Sequence, residues 1–194
     1  MDFIIVIVGL LFSIILHELA HGYVADRLGD FTPRYSGRLT LNPLPHLDPI
    51  GSFLLPITTF ILGGFIFGWA KPVPINPLNL NNPRRDLIFV ALAGPLVNIF
   101  LALFLAFSFK VLAILGFNPN YLIFFGLIRL NFVLAFFNLL PIPPLDGSRL
   151  FLSFLPFEYQ IFLEQWGIIF IFLLVFFGFS WLATLVNFLT NLVL

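Results

Sequence analysis

Long apolar runs dominate this sequence and constrain its fold more than any other feature. A helix needs about 20 mostly apolar residues to cross roughly 30 Å of hydrocarbon. Hydrophobic residues make up 60% of the 194 positions and charged residues only 9%, against roughly 25% charged in a soluble domain. A soluble fold of this size could not bury so much apolar surface, so we predict an integral, multi-pass membrane protein in the lipid bilayer. The net charge of +0 gives no footprint for nucleic acid.

Five apolar segments are candidate membrane segments: residues 3–23, 50–69, 86–115, 121–140 and 161–194. Pro56 and the Gly63-Gly64 pair interrupt the second segment, which either crosses the membrane or re-enters it, and the last segment is too long for one straight span. The pattern predicts an all-α polytopic membrane protein of about five transmembrane helices (four to six), folded as one domain over residues 1–194. Because the N-terminus lacks a basic region, we expect no cleavable signal.

Two polar connectors separate these segments, at residues 26–48 and 71–83. In the first, Ser36-Gly37 precedes the alternating sequence Arg38-Leu39-Thr40-Leu41, which predicts a short β-hairpin after the first helix. An open edge of that hairpin could pair with an unwound substrate strand. The second connector is rich in Pro and Asn and is expected to be an extended loop.

The sequence His17-Glu18-Leu19-Ala20-His21 is an H-E-x-x-H motif in the first apolar segment. Residues four apart lie on one helical face, so both imidazoles can reach one metal ion. Glu18 lies one position further round the helix, where it can take a proton from a water as general base. Polar packing is the alternative explanation, but a charged side chain near the centre of a membrane helix costs about 2.5–3.5 kcal/mol. A divalent cation is the simplest partner for this cluster.

A catalytic zinc ion takes three protein ligands, and the chain has no cysteine to supply one. The remaining candidates are Asp26, Asp30, Asp48, Asp86, Asp146, Glu158, Glu164 and His46. Most lie in connectors, where a solvated charge is the simpler explanation. Asp146 follows three prolines and precedes Gly147 between two apolar runs, so its backbone is irregular at membrane depth. Such backbone is tolerated only where protein or a water-filled cavity surrounds it.

Several motifs together resemble the site-2 protease family of intramembrane zinc metalloproteases. They are H-E-x-x-H-G at residues 17–22, the segments 38–43 and 46–51, A-G-P-x-x-N at residues 93–98, and N-x-x-P-x-P-x-x-D-G at residues 138–147. The resemblance implies one Zn2+ per chain, held by His17, His21 and Asp146, in an endopeptidase acting on transmembrane protein substrates in a prokaryotic cell membrane. It also implies that Asn138 is a catalytic residue that stabilises the oxyanion. The PDZ or CBS domains usual in the family are not seen, which suggests a compact member.

Other polar residues in the apolar segments have packing as the favoured explanation. Ala93-Gly94-Pro95 is expected to let helices approach closely, with Asn98 and Asn131 hydrogen-bonded between helices. Arg129 lies too deep for easy snorkelling, so we expect an acidic or carbonyl partner. His46 and Asp48 form either a loop and cap arrangement, which is favoured, or a second metal site.

Two other functions compete with proteolysis. A metal-ion transporter or channel could use the same buried ligands, although transport needs several weak sites along a path. An inactive homologue could act as a membrane scaffold, but the H-E-x-x-H motif is intact. The role of Glu18 distinguishes a protease from a metal-ion transporter, because hydrolysis needs a general base and transport does not.

Overall fold

A computed structural model describes residues 2–54, 57–58, 61, 70–152, 154–155, 157–174 and 179–194. The described residues contain helices and loops and no β-strand. The helices are α1 (Asp2–Arg27), α2 (Thr32–Tyr35), α3 (Pro83–Ile114), α4 (Tyr121–Asn138), α5 (Asp146–Leu152), α6 (Phe157–Leu173) and α7 (Phe179–Val193). The loops also contain 3-10 turns at Leu44–His46 and Pro77–Asn79 and a π-helical turn at Pro49–Leu54.

Three of the described helices, α1, α3 and α4, are long and apolar enough to cross a membrane. Two shorter apolar helices cover Ile161–Leu173 and Ser180–Val193. The all-helical fold is therefore confirmed, and the described residues contain three candidate spans where the sequence predicts about five. Asp86 helps to start α3, because its carboxylate accepts the Asn82 N–H at 2.7 Å, and Asn120 caps the start of α4.

The three long helices pack against one another, with α7 against α4 and α5 against α3. Small, branched and aromatic side chains form the core between α3, α4 and α7: Ala102, Ala106, Ile128, Phe132, Leu182 and Val186. The outer face of α3 exposes Phe100, Phe104 and Phe107, which are spaced as one helical face. Apolar side chains that point outward in this way are suited to contact with lipid tails.

The predicted β-hairpin at residues 35–41 is wrong. Residues 32–35 instead form the single helical turn α2, and Gly37 has a positive φ of 67°. The Arg38 N–H donates to the Pro33 carbonyl at 3.1 Å, its guanidinium donates to the Pro45 carbonyl, and His46 bonds the Thr40 carbonyl at 2.9 Å. These local bonds occupy groups that a strand ladder would need, so the chain turns instead of extending.

The segment 50–69 lies largely outside the described residues, but both of its flanks are described. The Lys71 N–H donates to the His46 carbonyl at 2.8 Å. A single helical crossing would separate the two flanks by about 30 Å. Because a hydrogen bond joins them, both flanks lie at the same end of the bundle. In agreement, α4 runs in the same direction as α1. Gly9 lies against Leu127 near the start of both helices, and Asp146, which follows α4, meets His17 later in α1.

A polar network ties the connectors to the end of α1. The buried Asp30 carboxylate accepts bonds from Thr32, from the Asn76 N–H at 2.7 Å and from the Asn79 side chain at 3.1 Å. Burial alone would raise the pKa of Asp30, but these hydrogen bonds hold the pKa below its usual value. The network fixes the extended segment 71–76 across the end of α1, beside the H-E-x-x-H motif.

Candidate metal centre

Helix α1 places the two histidines of the H-E-x-x-H motif one above the other. They are four positions apart, and their Nε2 atoms lie 3.0 Å from each other. Both side chains are buried, with 6% of His17 and 5% of His21 exposed. Helical periodicity alone therefore brings two nitrogen donors to one point inside the bundle.

Asp146 joins this pair from a distant part of the sequence. Its Oδ2 atom lies 3.0 Å from His17 Nε2 and 3.2 Å from His21 Nε2. It is the first residue of α5, which follows the proline-rich bend after α4. Gly147 makes the approach feasible, because a Cβ there would overlap the backbone of Leu139 and Leu140. The structure thus brings together the three residues that the sequence nominates, and among the described residues they alone form such a group.

The outer nitrogens of the two rings face oxygen atoms that accept hydrogen bonds. His17 Nδ1 lies 2.5 Å from Asn98 Oδ1, and His21 Nδ1 lies 2.6 Å from the Val90 carbonyl. In a neutral imidazole with Nδ1–H, the Nε2 atom carries a lone pair and no proton. Three lone pairs, two from nitrogen and one from Asp146, then point at one another, so the cluster needs a bound metal ion or an added proton between them.

The spacing and chemistry of these donors fit a zinc ion. Tetrahedral zinc with N and O ligands at roughly 2.0–2.1 Å places neighbouring ligand atoms about 3.3 Å apart, close to the observed 3.0–3.2 Å. Asp146 would bind a metal ion in its ionised carboxylate form.

Gly94 of α3 provides the space for this centre. A Cβ at position 94 would overlap the Nε2 atoms of both His17 and His21. The sequence predicts close helix packing for Ala93-Gly94-Pro95, and the structure shows that the surface approached is the pair of imidazoles. Any side chain at this position would fill the place of the cation.

Glu18 lies beside the histidines and is held by the second connector. Its Oε2 atom accepts the Val73 N–H at 2.8 Å. Among the described residues this is the hydrogen bond that fixes the carboxylate, and Oε1 has no such partner. Val73 lies between Pro72 and Pro74, which have no N–H to offer. The one donor in this short segment is therefore directed at Glu18.

Asn138 ends α4, and its Nδ2 donates to the Leu134 carbonyl at 2.9 Å. The described contacts do not join it to the three clustered residues, and its catalytic role stays a prediction.

The sequence did not predict that Asn98, Val90 and Val73 would be neighbours of the site. A signal for Asn98 existed, since Gly94 and Asn98 are four apart and share one face of a spanning helix. Backbone groups such as those of Val90 and Val73 have no sequence signature.

The other polar expectations have mixed outcomes. Arg129 is exposed on α4, and the expected partner is not found among the described residues.

His46 is buried, and its Nε2–H donates to the Thr40 carbonyl. Asp48 Oδ1 accepts the N–H groups of Ile50 and Gly51. The loop and cap explanation therefore holds for this pair, and the described residues do not place it in a second metal cluster.

Comparison with known proteins gives three informative relatives. The chain is 42% identical over 158 residues to a protein of Bacillus subtilis named putative zinc metalloprotease YwhC, which covers 77% of this chain and 68% of that protein. It is 36% identical over 173 residues to the putative zinc metalloprotease Rip2 of Mycolicibacterium smegmatis, covering 85% of this chain and 64% of the relative. A putative zinc metalloprotease of Methanocaldococcus jannaschii is 32% identical over 166 residues, covering 82% of this chain and 74% of the relative.

No family model matches the chain, and no solved structure matches it significantly. The helical fold, the His-His-Asp cluster and the relatives' names together define a protein of the metalloprotease class. The chain belongs to the family of putative zinc metalloproteases that includes YwhC. This membership is consistent with the resemblance to site-2 proteases.

Proposed function

We propose that this chain is an intramembrane zinc endopeptidase that cleaves transmembrane segments of other membrane proteins. One observation supports this most strongly: His17 Nε2, His21 Nε2 and Asp146 Oδ2 lie within 3.0–3.2 Å of one another beside Glu18. The relatives are named zinc metalloproteases, which supports zinc as the metal. We propose one ion per chain, because the described residues contain one such cluster.

The membrane location of the centre is part of the proposal. His17 and His21 lie in α1, while Asn98 and Gly94 lie in α3, and both helices are candidate spans. We further propose that α6 and α7 are membrane segments. The catalytic centre would then be reached by peptide from within the bilayer or its interface.

Glu18 is the proposed general base. Zinc held by His17, His21 and Asp146 would act as a Lewis acid that activates a water molecule and polarises the scissile carbonyl. The Glu18 carboxylate accepts the proton of that water as it attacks and then delivers the proton to the leaving amine. The Val73 N–H holds Oε2, which leaves Oε1 to exchange the proton.

Asn138 is the proposed oxyanion partner. One hydrogen of its Nδ2 group donates to the Leu134 carbonyl, and we propose that the second hydrogen donates to the oxyanion. A transmembrane substrate must also unwind, because the carbonyls of a helix are hydrogen-bonded within it.

The test is co-expression with a panel of single-span membrane proteins, comparing the natural chain with Glu18→Gln. We expect fragments of one or more substrates with the natural chain, and a loss of cleavage on the order of 100-fold or more with Glu18→Gln. Purified Glu18→Gln should keep its zinc, because Glu18 is not one of the clustered ligands.

A metal-ion transporter predicts a different result. Transport should persist in Glu18→Gln, and no substrate fragment should depend on Glu18. Glu18-independent cleavage by the purified chain would contradict the proposed mechanism.

A further inference from the structure

The two imidazoles of the metal centre are oriented by different kinds of partner. His21 Nδ1 faces the Val90 carbonyl, which can only accept a hydrogen bond. His17 Nδ1 faces the side-chain amide of Asn98, which has an accepting end and a donating end. If the amide turned over, Nδ1 would become the acceptor and Nε2 would carry the proton, directed into the cluster. The tautomer of His17 therefore depends on which end of Asn98 faces it.

A chain of hydrogen bonds from α4 determines that orientation. Asn131 Nδ2 donates to the Leu127 carbonyl at 2.9 Å, and Asn98 Nδ2 donates to Asn131 Oδ1 at 3.0 Å. Because the Leu127 carbonyl only accepts, Asn131 must present its oxygen to Asn98. Asn98 must then present its own oxygen to His17, at 2.5 Å.

Burial makes this chain the controlling influence on the ring. Asn98 is 0% exposed and Asn131 is 1% exposed, so bulk water is not at hand to satisfy a reversed amide. A reversed Asn98 would bring its NH2 group away from Asn131 Oδ1 and place two acceptors against each other. Leaving a buried polar group without a hydrogen-bond partner is strongly unfavourable.

We propose that Asn131, although it contacts no clustered ligand, is a positioning residue that selects the metal-binding tautomer of His17 through Asn98. This inference rests on the proposed metal centre. It gives helix α4, which carries Asn131, a role in the metal centre in addition to packing. The described contacts of Asn131 do not include Asp146 or either histidine, so its effect must pass through Asn98.

The first test is zinc affinity of the purified full chain, measured by competition with a chelator. Loss of the outer partner of a metal-binding histidine typically weakens binding by 10–100-fold. We expect Asn131→Leu to weaken zinc binding by about 10-fold in the natural background. In the Asn98→Asp background the same change should cause no further loss of zinc affinity, because a carboxylate presents an oxygen to His17 in either orientation.

Thr190→Val is the matched control for burial. The Thr190 hydroxyl is fully buried and donates to the Val186 carbonyl at 2.7 Å, on α7 and away from the centre. Its removal should leave zinc affinity unchanged. If Asn131→Leu weakens zinc binding equally in the natural chain and in the Asn98→Asp background, Asn131 has a packing role only. That result would overturn the proposal.

The second test reads the tautomer directly by NMR of 15N-labelled histidine, since the chain has only three histidines. In the metal-free natural chain, His17 should carry its proton on Nδ1. In Asn131→Leu, a second population with the proton on Nε2 should appear for His17 and not for His21.

A natural chain whose His17 is protonated at Nε2 would overturn the proposal without any variant. If Asn131→Leu does not fold, Asn131→Ala replaces it in both tests. Failure of the natural chain to bind zinc would instead count against the proposed function, and the tautomer result would still stand by itself.

Discussion

The two ends of the helical bundle are built on different physical principles. At the site end, where α1 ends and α3 begins, directed polar bonds fix His17, His21 and Glu18. At the packed end, Ala102, Ala106 and their neighbours on α4 and α7 form an apolar core. Hydrogen bonds specify direction, whereas small apolar residues permit close approach of helices in lipid. We infer that the packed end holds the bundle together and that the site end sets the geometry of the centre.

The largest expected effect is that of substituting Gly94, at the site end. Gly94→Ala places a methyl group where it overlaps the Nε2 atoms of both histidines, so at least one imidazole must leave the cluster. We expect purified Gly94→Ala to retain little zinc, with an affinity loss on the order of 100-fold or more, and no proteolysis. Metal analysis after gel filtration measures the first effect.

Gly126→Ala is the matched control on α4. A Cβ at this position would meet only Val6, at an ordinary contact distance of 3.5 Å. Zinc content should be unchanged, and the helix should be stabilised by up to about 1 kcal/mol. Equal zinc loss in the two variants would contradict the distinction between the ends.

The next effect concerns the backbone donor at the site end. Val73→Pro removes the N–H that holds Glu18, while the prolines on either side already restrict the local backbone. We expect kcat to fall by about 10-fold, with KM and zinc content nearly unchanged, because Glu18 is no longer oriented. Val73→Ala keeps the N–H and reports the loss of the side chain alone, so a similar fall in kcat there would exclude the orienting role.

The packed end should respond in stability and not in chemistry. Ala106→Leu adds volume to a core position that is 3% exposed, and overpacking costs typically about 1–3 kcal/mol. We expect a lower unfolding temperature in detergent, with unchanged zinc affinity of the folded protein. A marked change in zinc affinity would show that the two ends are coupled.

The smallest effect is a pH dependence of stability from Asp30. Its folded pKa lies below the ordinary value of 3.8, so the unfolded chain binds its proton first as the pH falls. The stabilisation is therefore present above about pH 4 and is lost as the pH falls further, towards the folded pKa. Thermal unfolding from about pH 6 to about pH 3 should show a smaller loss in Asp30→Asn than in the natural chain; identical profiles would exclude Asp30 as the cause.

The comparison of the ends also shows what the sequence could predict. The shared helical face of His17 and His21 follows from helical spacing alone, and the prolines before Asp146 predicted an irregular backbone there. These signals are local or depend on composition, so they can be recognised in the sequence without knowledge of the fold.

Other features depend on contacts that no local pattern encodes. Asn98 gained its role only when α3 packed on α1, and the Val73 N–H reaches Glu18 across 55 positions of sequence. The hairpin prediction failed because side-chain bonds, such as that from Arg38 to the Pro45 carbonyl, competed with strand pairing. Propensity alone does not reveal such competition.

The central claim is that one cation is held between α1 and the start of α5, and metal analysis of the purified chain tests it most directly. Zinc per chain should be measured after mild detergent extraction for the natural chain and for Asp146→Ala. The account predicts one zinc ion per natural chain and a large loss in the variant. A natural chain without zinc, or a variant that keeps the full amount, would contradict it.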